Sequence, residues 1–195
     1  MDHEPDVRGI VQLRQDELLG PVVDRVGERQ LEPADDFFAR FARSVIRQQV
    51  SMAAATAIES RLLDRVSLTP EEILATDAAT LREAGLSAQK AQTVHAIAER
   101  FSNDDWSRDA FAHMSNDRII DELTTIRGVG VWTAKMQLIF SFARPDVFPV
   151  EDLGIRNGME VVLGEPLSRE EMVDISHRWS PVRSLASLYL WDVVD

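Results

Sequence analysis

The stretch "LTTIRGVGVWTAKMQLIF", residues 123–140, sets Gly128 and Gly130 one residue apart between segments that read as helices. Glycine is costly inside a helix, so a pair at a boundary indicates that backbone rather than side chain is wanted there. A first helix ending near Thr125, a tight turn and an immediate second helix make a helix-hairpin-helix, in which glycine permits positive φ. The N–H groups opening the second helix sit at the positive end of its dipole and suit an anion such as a phosphate. Leu123 and Ile126 would pack the first helix, and Ala134 would let the second approach closely. The ordinary alternative is a glycine turn that only joins two core helices. A second group is Glu151 and Asp152, carboxylates after Pro149 in the otherwise apolar "DVFPVEDLGI". By local sequence such an aspartate caps a helix. A third is "VIRQQVS", residues 45–51, whose Gln48, Gln49 and Ser51 stand at a junction of two helices and read locally as a polar end facing solvent.

The elements that must position these groups are all helical. Residues 7–30 have an apolar periodicity that fits helix or short strand. From Pro33, "PADDFFARFARSVIRQQV" begins with proline and acids, as a helix N-terminus prefers. An alanine-rich helix follows with Ser51 as its cap. A short helix follows Pro70, another runs from about Ala78 to Ala84 and stops at Gly85, and a longer one opens with Ser87. Ser115 caps the helix before the hairpin, and Pro145 ends the one after it. Further helices reach to about Leu163, run from Ser168 to Trp179, and follow Pro181. No alternating strand pattern competes, so the class is all-α with short connections. A lobe boundary is expected near residues 101–111, where polarity rises.

At 195 residues and 45 % hydrophobic, the chain can bury a core as one domain or as two small lobes sharing a cleft. With no cysteine there are no disulfides, thiolate zinc sites or cysteine-ligated iron–sulfur clusters. No apolar run approaches the roughly 20 residues of a membrane span, and the acidic start is no signal peptide, so a cytoplasmic protein is expected. His3, His95, His113 and His177 have no metal-ligand spacing, and no metal site is expected.

The net charge of −12 argues against a polyanionic partner. Lys90 and Lys135 are the only lysines, and acids outnumber bases 33 to 21. A protein soluble at very high salt would carry such a surface, and at 1 M salt the Debye length is only about 3 Å. A halophilic setting would remove most of the repulsion, and an ordinary acidic protein is the alternative. The hairpin's donors, being neutral, do not depend on lysine.

The fuller pattern L-x-x-I-x-G-V-G-x-x-T-A, residues 123–134, resembles the hairpin of the helix-hairpin-helix-GPD superfamily of DNA glycosylases. The resemblance extends over about residues 33–194 and implies two helical lobes flanking a cleft, with residues 1–32 an added N-terminal helical extension. "VIRQQVS" is similar to the turn at which AlkA-type DNA-3-methyladenine glycosylases present a side chain to the gap left by a flipped base. The "HRWSPVRSLASLYLWDVVD" segment resembles that family's last two helices, and the chain has the compact form without the N-terminal β domain.

What the resemblance implies is specific. Gly128, Val129, Gly130 and Thr133 would hold the DNA backbone, with Gln48, Gln49 and Ser51 at the second contact and Gln49 as the wedge. In "VFPVEDLGIRNG" the family's catalytic aspartate matches Asp152, with Glu151 its neighbour. An anion beside C1′ stabilises an oxocarbenium-like sugar or orients a water. A purine alkylated at N3 or N7 already carries positive charge and leaves without a strong acid, and aromatic faces attract it. Trp132 and Trp191 are the expected base pocket, with Trp179 also available. In bifunctional relatives such as endonuclease III a lysine precedes the T-A pair; here Trp132 does, so no strand cleavage is expected.

The implied function is thus a monofunctional glycosylase for alkylated purines in base excision repair, acting as a monomer on duplex DNA without a cofactor. A monovalent cation at the hairpin carbonyls is also allowed by the resemblance. Two alternatives differ in kind: a glycosylase for hypoxanthine, an oxidised purine or a mismatch, and a non-catalytic DNA-binding clamp.

Overall fold

The computed structural model describes residues 7–104 and 106–194; the acidic start with His3 lies outside them. Among the described residues no strand forms. The helices are α1 (Val7–Gln15), α2 (Gly20–Val26), α3 (Phe37–Arg47), α4 (Met52–Leu63), α5 (Pro70–Ala75), α6 (Ala78–Glu83) and α7 (Ala88–Asn103). They continue as α8 (Arg108–Ala112), α9 (Asn116–Thr124), α10 (Val131–Phe140), α11 (Leu153–Leu163), α12 (Arg169–Ser176) and α13 (Arg183–Asp192), with a 3-10 turn at His177–Trp179. The open periodicity of residues 7–30 resolves as two helices.

Short polar side chains start most of these helices. Ser51, Ser87, Ser115 and Ser168 each accept a backbone N–H of the first turn, as Asp36 and Asp77 do. Each satisfies one of the donors that a helix N-terminus leaves unpaired. Asp36 also corrects the start of α3: its carboxylate takes the N–H of Ala39 at 2.9 Å, so the helix opens at Phe37 and not at Pro33.

The chain divides into two compact units, one of residues 34–142 and one of residues 1–33 with 143–195. The 34–142 unit is built on aromatic packing. The Phe37 ring lies 4.8 Å from those of both Phe101 and Phe142, and Trp106 meets Phe111 edge-on at 5.6 Å. The expected boundary at residues 101–111 does not fall there: the units divide at 33/34 and 142/143, and Phe101, Trp106 and Phe111 anchor this cluster.

In the other unit, Ile10, Leu13, Leu19 and Val23 share a core with Met159, Trp179, Tyr189 and Leu190. The Tyr189 hydroxyl donates to the Gly27 carbonyl at 3.0 Å and accepts the Arg29 N–H at 3.2 Å, and Arg29 grips Asp192 with two 2.7 Å bonds. Helices α11 and α13 pack without a gap, because a Cβ on Gly158 would stand 2.3 Å from the Leu190 carbonyl oxygen.

Candidate functional site

The hairpin forms between α9 and α10 with Leu123, Ile126, Val129 and Ala134 buried. Gly128 has φ +94°, and a Cβ there would stand 2.1 Å from Thr93 Oγ1, so backbone conformation and space both require glycine. Gly130 differs from expectation. It is extended, at φ −101° and ψ 176°, with open space where a Cβ would be, and it is the N-cap of α10. Its consequence is chemical: no side chain caps this ten-residue helix, and its N-terminus is the positive dipole end that suits an anion.

Helix α7 holds the hairpin from behind. Thr93 Oγ1 donates to the Arg127 carbonyl at 3.1 Å, one residue before Gly128. Lys90 donates to the carbonyls of Ile46 at 2.7 Å and Gln48 at 2.6 Å, closing the C-terminus of α3. Burial lowers the Lys90 pKa from its ordinary value.

The α3–α4 junction is joined directly to the hairpin. Gln48 Nε2 donates to the Gly128 carbonyl at 3.0 Å and to Thr133 Oγ1 at 2.9 Å. Thr133 is 1 % exposed, so its hydroxyl serves this internal bond and the residue is part of the hairpin's support. The next residue, Gln49, is exposed and left-handed at φ +55°, a conformation uncommon for residues other than glycine. Such strain persists only where the surroundings fix it, and it gathers at functional sites. Ser51 caps α4 through the Ala54 N–H at 3.2 Å, and Val50 and Met52 are exposed beside it. Helix α3 also carries Arg40, Arg43 and Arg47. Burial, with like charge from Arg47 and Arg43, pushes Arg40 down to about 10, and its guanidinium lies 4.3 Å over the Phe140 ring.

In the other unit Asp152 caps α11, as its local sequence predicts. Its Oδ1 accepts the Ile155 N–H at 3.0 Å and also the Trp191 indole N–H at 2.9 Å. Arg156 closes the preceding loop by donating to the carbonyls of Val150 at 3.2 Å and Glu151 at 2.7 Å. A half-buried carboxylate held in this way is an oriented negative charge, suited to a developing cation or to a water. Trp191 is therefore bonded to the carboxylate, a role the sequence did not suggest. Trp179 is fully buried against Phe148 and is a core residue.

Gln48, Gly128, Val129, Gly130 and Thr133 thus come together in one unit, with Gln49, Ser51 and the half-buried Trp132 on the same unit, while Asp152 and Trp191 pair in the other. Thr93, Lys90, Gly154 and Arg156 were missed. Only Gly154 left a trace, in the G-x-x-x-G spacing with Gly158. Among the described residues no group of side chains could hold a metal ion, and no helix is long and apolar enough to cross a membrane.

Residues 42–181 match the family model described as HhH-GPD superfamily base excision DNA repair protein. The DNA-3-methyladenine glycosylase 1 of Schizosaccharomyces pombe is 36 % identical over 161 residues, 79 % of this chain and 71 % of that protein. Among solved structures, the S. pombe 3-methyladenine DNA glycosylase in complex with abasic DNA superposes with a TM-score of 0.86 at 32 % identity, covering 95 % of this chain and 96 % of that one. A DNA-3-methyladenine glycosidase from Bacillus halodurans gives 0.79 at 30 % identity, covering 97 % and 89 %.

Proposed function

The chain belongs to the HhH-GPD superfamily of base excision DNA repair proteins, and on that premise we propose that it is a monofunctional DNA glycosylase removing alkylated purines of the 3-methyladenine type. The observation that carries the reading is the joined hairpin: an uncapped helix N-terminus tied by Gln48 to the turn that carries the exposed, left-handed Gln49.

In this reading the N–H groups of Gly128 and Gly130 hold a backbone phosphate of duplex DNA, while Val129, whose N–H is given to the Ile126 carbonyl at 3.0 Å, and the buried Thr133 shape the hairpin that presents them. Gln49, supported by Gln48 and Ser51, fills the stack vacated by the flipped nucleotide. Flipping costs a few kcal/mol, least at a damaged base, which gives some selectivity before any pocket contact. An aromatic face attracts the cationic purine, and Trp132 in one unit and Trp191 in the other are the candidate residues for that role.

The C1′–N bond then breaks with its electron pair passing to the purine, whose ring charge is thereby neutralised. Asp152 stabilises the oxocarbenium-like sugar and orients the water whose oxygen adds to C1′, and a proton from that water passes to the carboxylate or to solvent. The products are the free base and an abasic strand. With Trp132 where a lysine nucleophile would stand, no Schiff base forms and the strand stays intact. The reading needs no cofactor, allows one monovalent cation at the hairpin carbonyls, and assigns a monomer to the cytoplasm on nucleoid DNA.

The test is to incubate the protein with separate duplexes carrying methylated purines, hypoxanthine or an oxidised purine, identify the bases released, and run the strands on a denaturing gel before and after alkali. Release of 3-methyladenine with cleavage only after alkali supports the proposal. Release of hypoxanthine or an oxidised purine alone would move the substrate class, and cleavage without alkali would end the monofunctional reading.

A further inference from the structure

Asp152 Oδ1 accepts two hydrogen bonds, from the Ile155 N–H at 3.0 Å and from Trp191 Nε1 at 2.9 Å. The first is an ordinary N-cap contact. The second comes from 39 residues away on α13 and adds nothing to the cap. A carboxylate oxygen offers about two acceptor directions, so both on Oδ1 are used. The space for this contact is reserved by Gly154. A Cβ there would stand 2.8 Å from Trp191 Cδ1, 3.1 Å from Nε1 and 3.1 Å from Asp152 Oδ1, so a side chain would push the indole edge off the carboxylate. Helix capping alone requires neither the tryptophan nor this glycine.

We propose that Trp191 is a positioning residue for Asp152, fixing the orientation of the carboxylate through Oδ1, with Gly154 as the gap that admits the indole edge. This rests on the reading of Asp152 as the reacting carboxylate. The indole gives its N–H edge to the aspartate. Hydrogen bonds to a charged group are the stronger kind, and preorientation keeps the carboxylate from turning when the sugar becomes cationic.

The experiment is single-turnover base release from methylated duplex, with kcat and KM separated, for Trp191→Phe, Trp191→His, Gly154→Ala and the pair Trp191→Phe with Gly154→Ala. Phenylalanine keeps a ring face and removes the N–H, and kcat is expected to fall about 10- to 100-fold for every alkylated base with KM little changed. Histidine sets Nε2 at the ring position of the indole nitrogen, so Trp191→His should recover part of that loss. Gly154→Ala should lower kcat alike, and the double variant should be no slower than the worse single one.

Wild-type kcat in Trp191→Phe, or a loss confined to KM and differing from base to base, would overturn the proposal and leave Trp191 a pocket wall. Thermal unfolding accompanies each variant; should Trp191→Phe prove unfolded, Gly154→Ala and Trp191→His decide. Asp152→Asn runs alongside. If it keeps full activity, the underlying reading of Asp152 fails. If it is inactive while Trp191→Phe keeps full kcat, only the positioning role fails.

Discussion

Gln48 donates through Nε2 to the Gly128 carbonyl at 3.0 Å, joining the C-terminus of one helix to the turn of a hairpin 80 residues away in sequence. The same nitrogen reaches Thr133 Oγ1 at 2.9 Å. The turn proposed to enter the base stack and the hairpin proposed to hold the phosphate are therefore one rigid piece. Gln48→Ala leaves the buried Thr133 hydroxyl without this donor and is expected to cost about 1–3 kcal/mol of stability. It should also weaken duplex binding. Chemical denaturation and fluorescence anisotropy with an abasic duplex check both effects.

Gly128 is under two constraints, a φ of +94° and a 2.1 Å approach of its missing Cβ to Thr93 Oγ1. Gly128→Ala is expected to lose about 1–3 kcal/mol from the backbone strain alone. The remainder comes from the clash and should fall when Thr93→Ala is added, so the double variant should be less destabilised than the sum of the singles. Additive losses would show that Thr93 does not limit the turn.

The Asp146 carboxylate shows a pH effect of definite sign. Burial would raise its pKa, but the Arg183 guanidinium at 2.6 and 3.0 Å and the Ser180 hydroxyl at 3.0 Å outweigh it and lower the value below 3.8. Its contribution to stability is therefore present above the unfolded-state value of 3.8 and lost as pH falls through the lower folded-state value. Acid unfolding of Asp146→Asn, followed by circular dichroism, should lack this step.

Salt dependence tests the role given to neutral donors. Phosphates held by backbone N–H groups release few counterions, so the plot of log binding constant against log KCl should be shallow, with a slope smaller than about 3 in magnitude. Because the chain carries −12, screening should also reduce repulsion, and base release should persist in molar KCl. A steep loss with salt would point to arginine contacts as the main anchor.

The helices were legible because their punctuation is local. Ser51, Ser87 and Ser115 cap as their positions predict, and Gly85, at φ +110°, ends α6. The hairpin was legible for the same reason, although only Gly128 has the positive φ expected of both glycines. Contacts between distant elements were not. The Trp191–Asp152 bond depends on how closely α11 and α13 pack, and the sequence marks that closeness only by the G-x-x-x-G spacing of Gly154 and Gly158, which names no partner helix. Polarity misled at residues 101–111, where the loop's charges masked the aromatic anchors Trp106 and Phe111.

The most direct test of the account is the rate of 3-methyladenine release under single-turnover conditions for wild type and Asp152→Asn, with affinity for an abasic duplex measured on the same samples. The account predicts release by wild type, a loss of about 10²- to 10³-fold or more in the variant, and duplex affinity nearly unchanged. Equal release by the two proteins would contradict the role of Asp152, and equal duplex affinity with no release by either would leave a DNA clamp in place of a glycosylase.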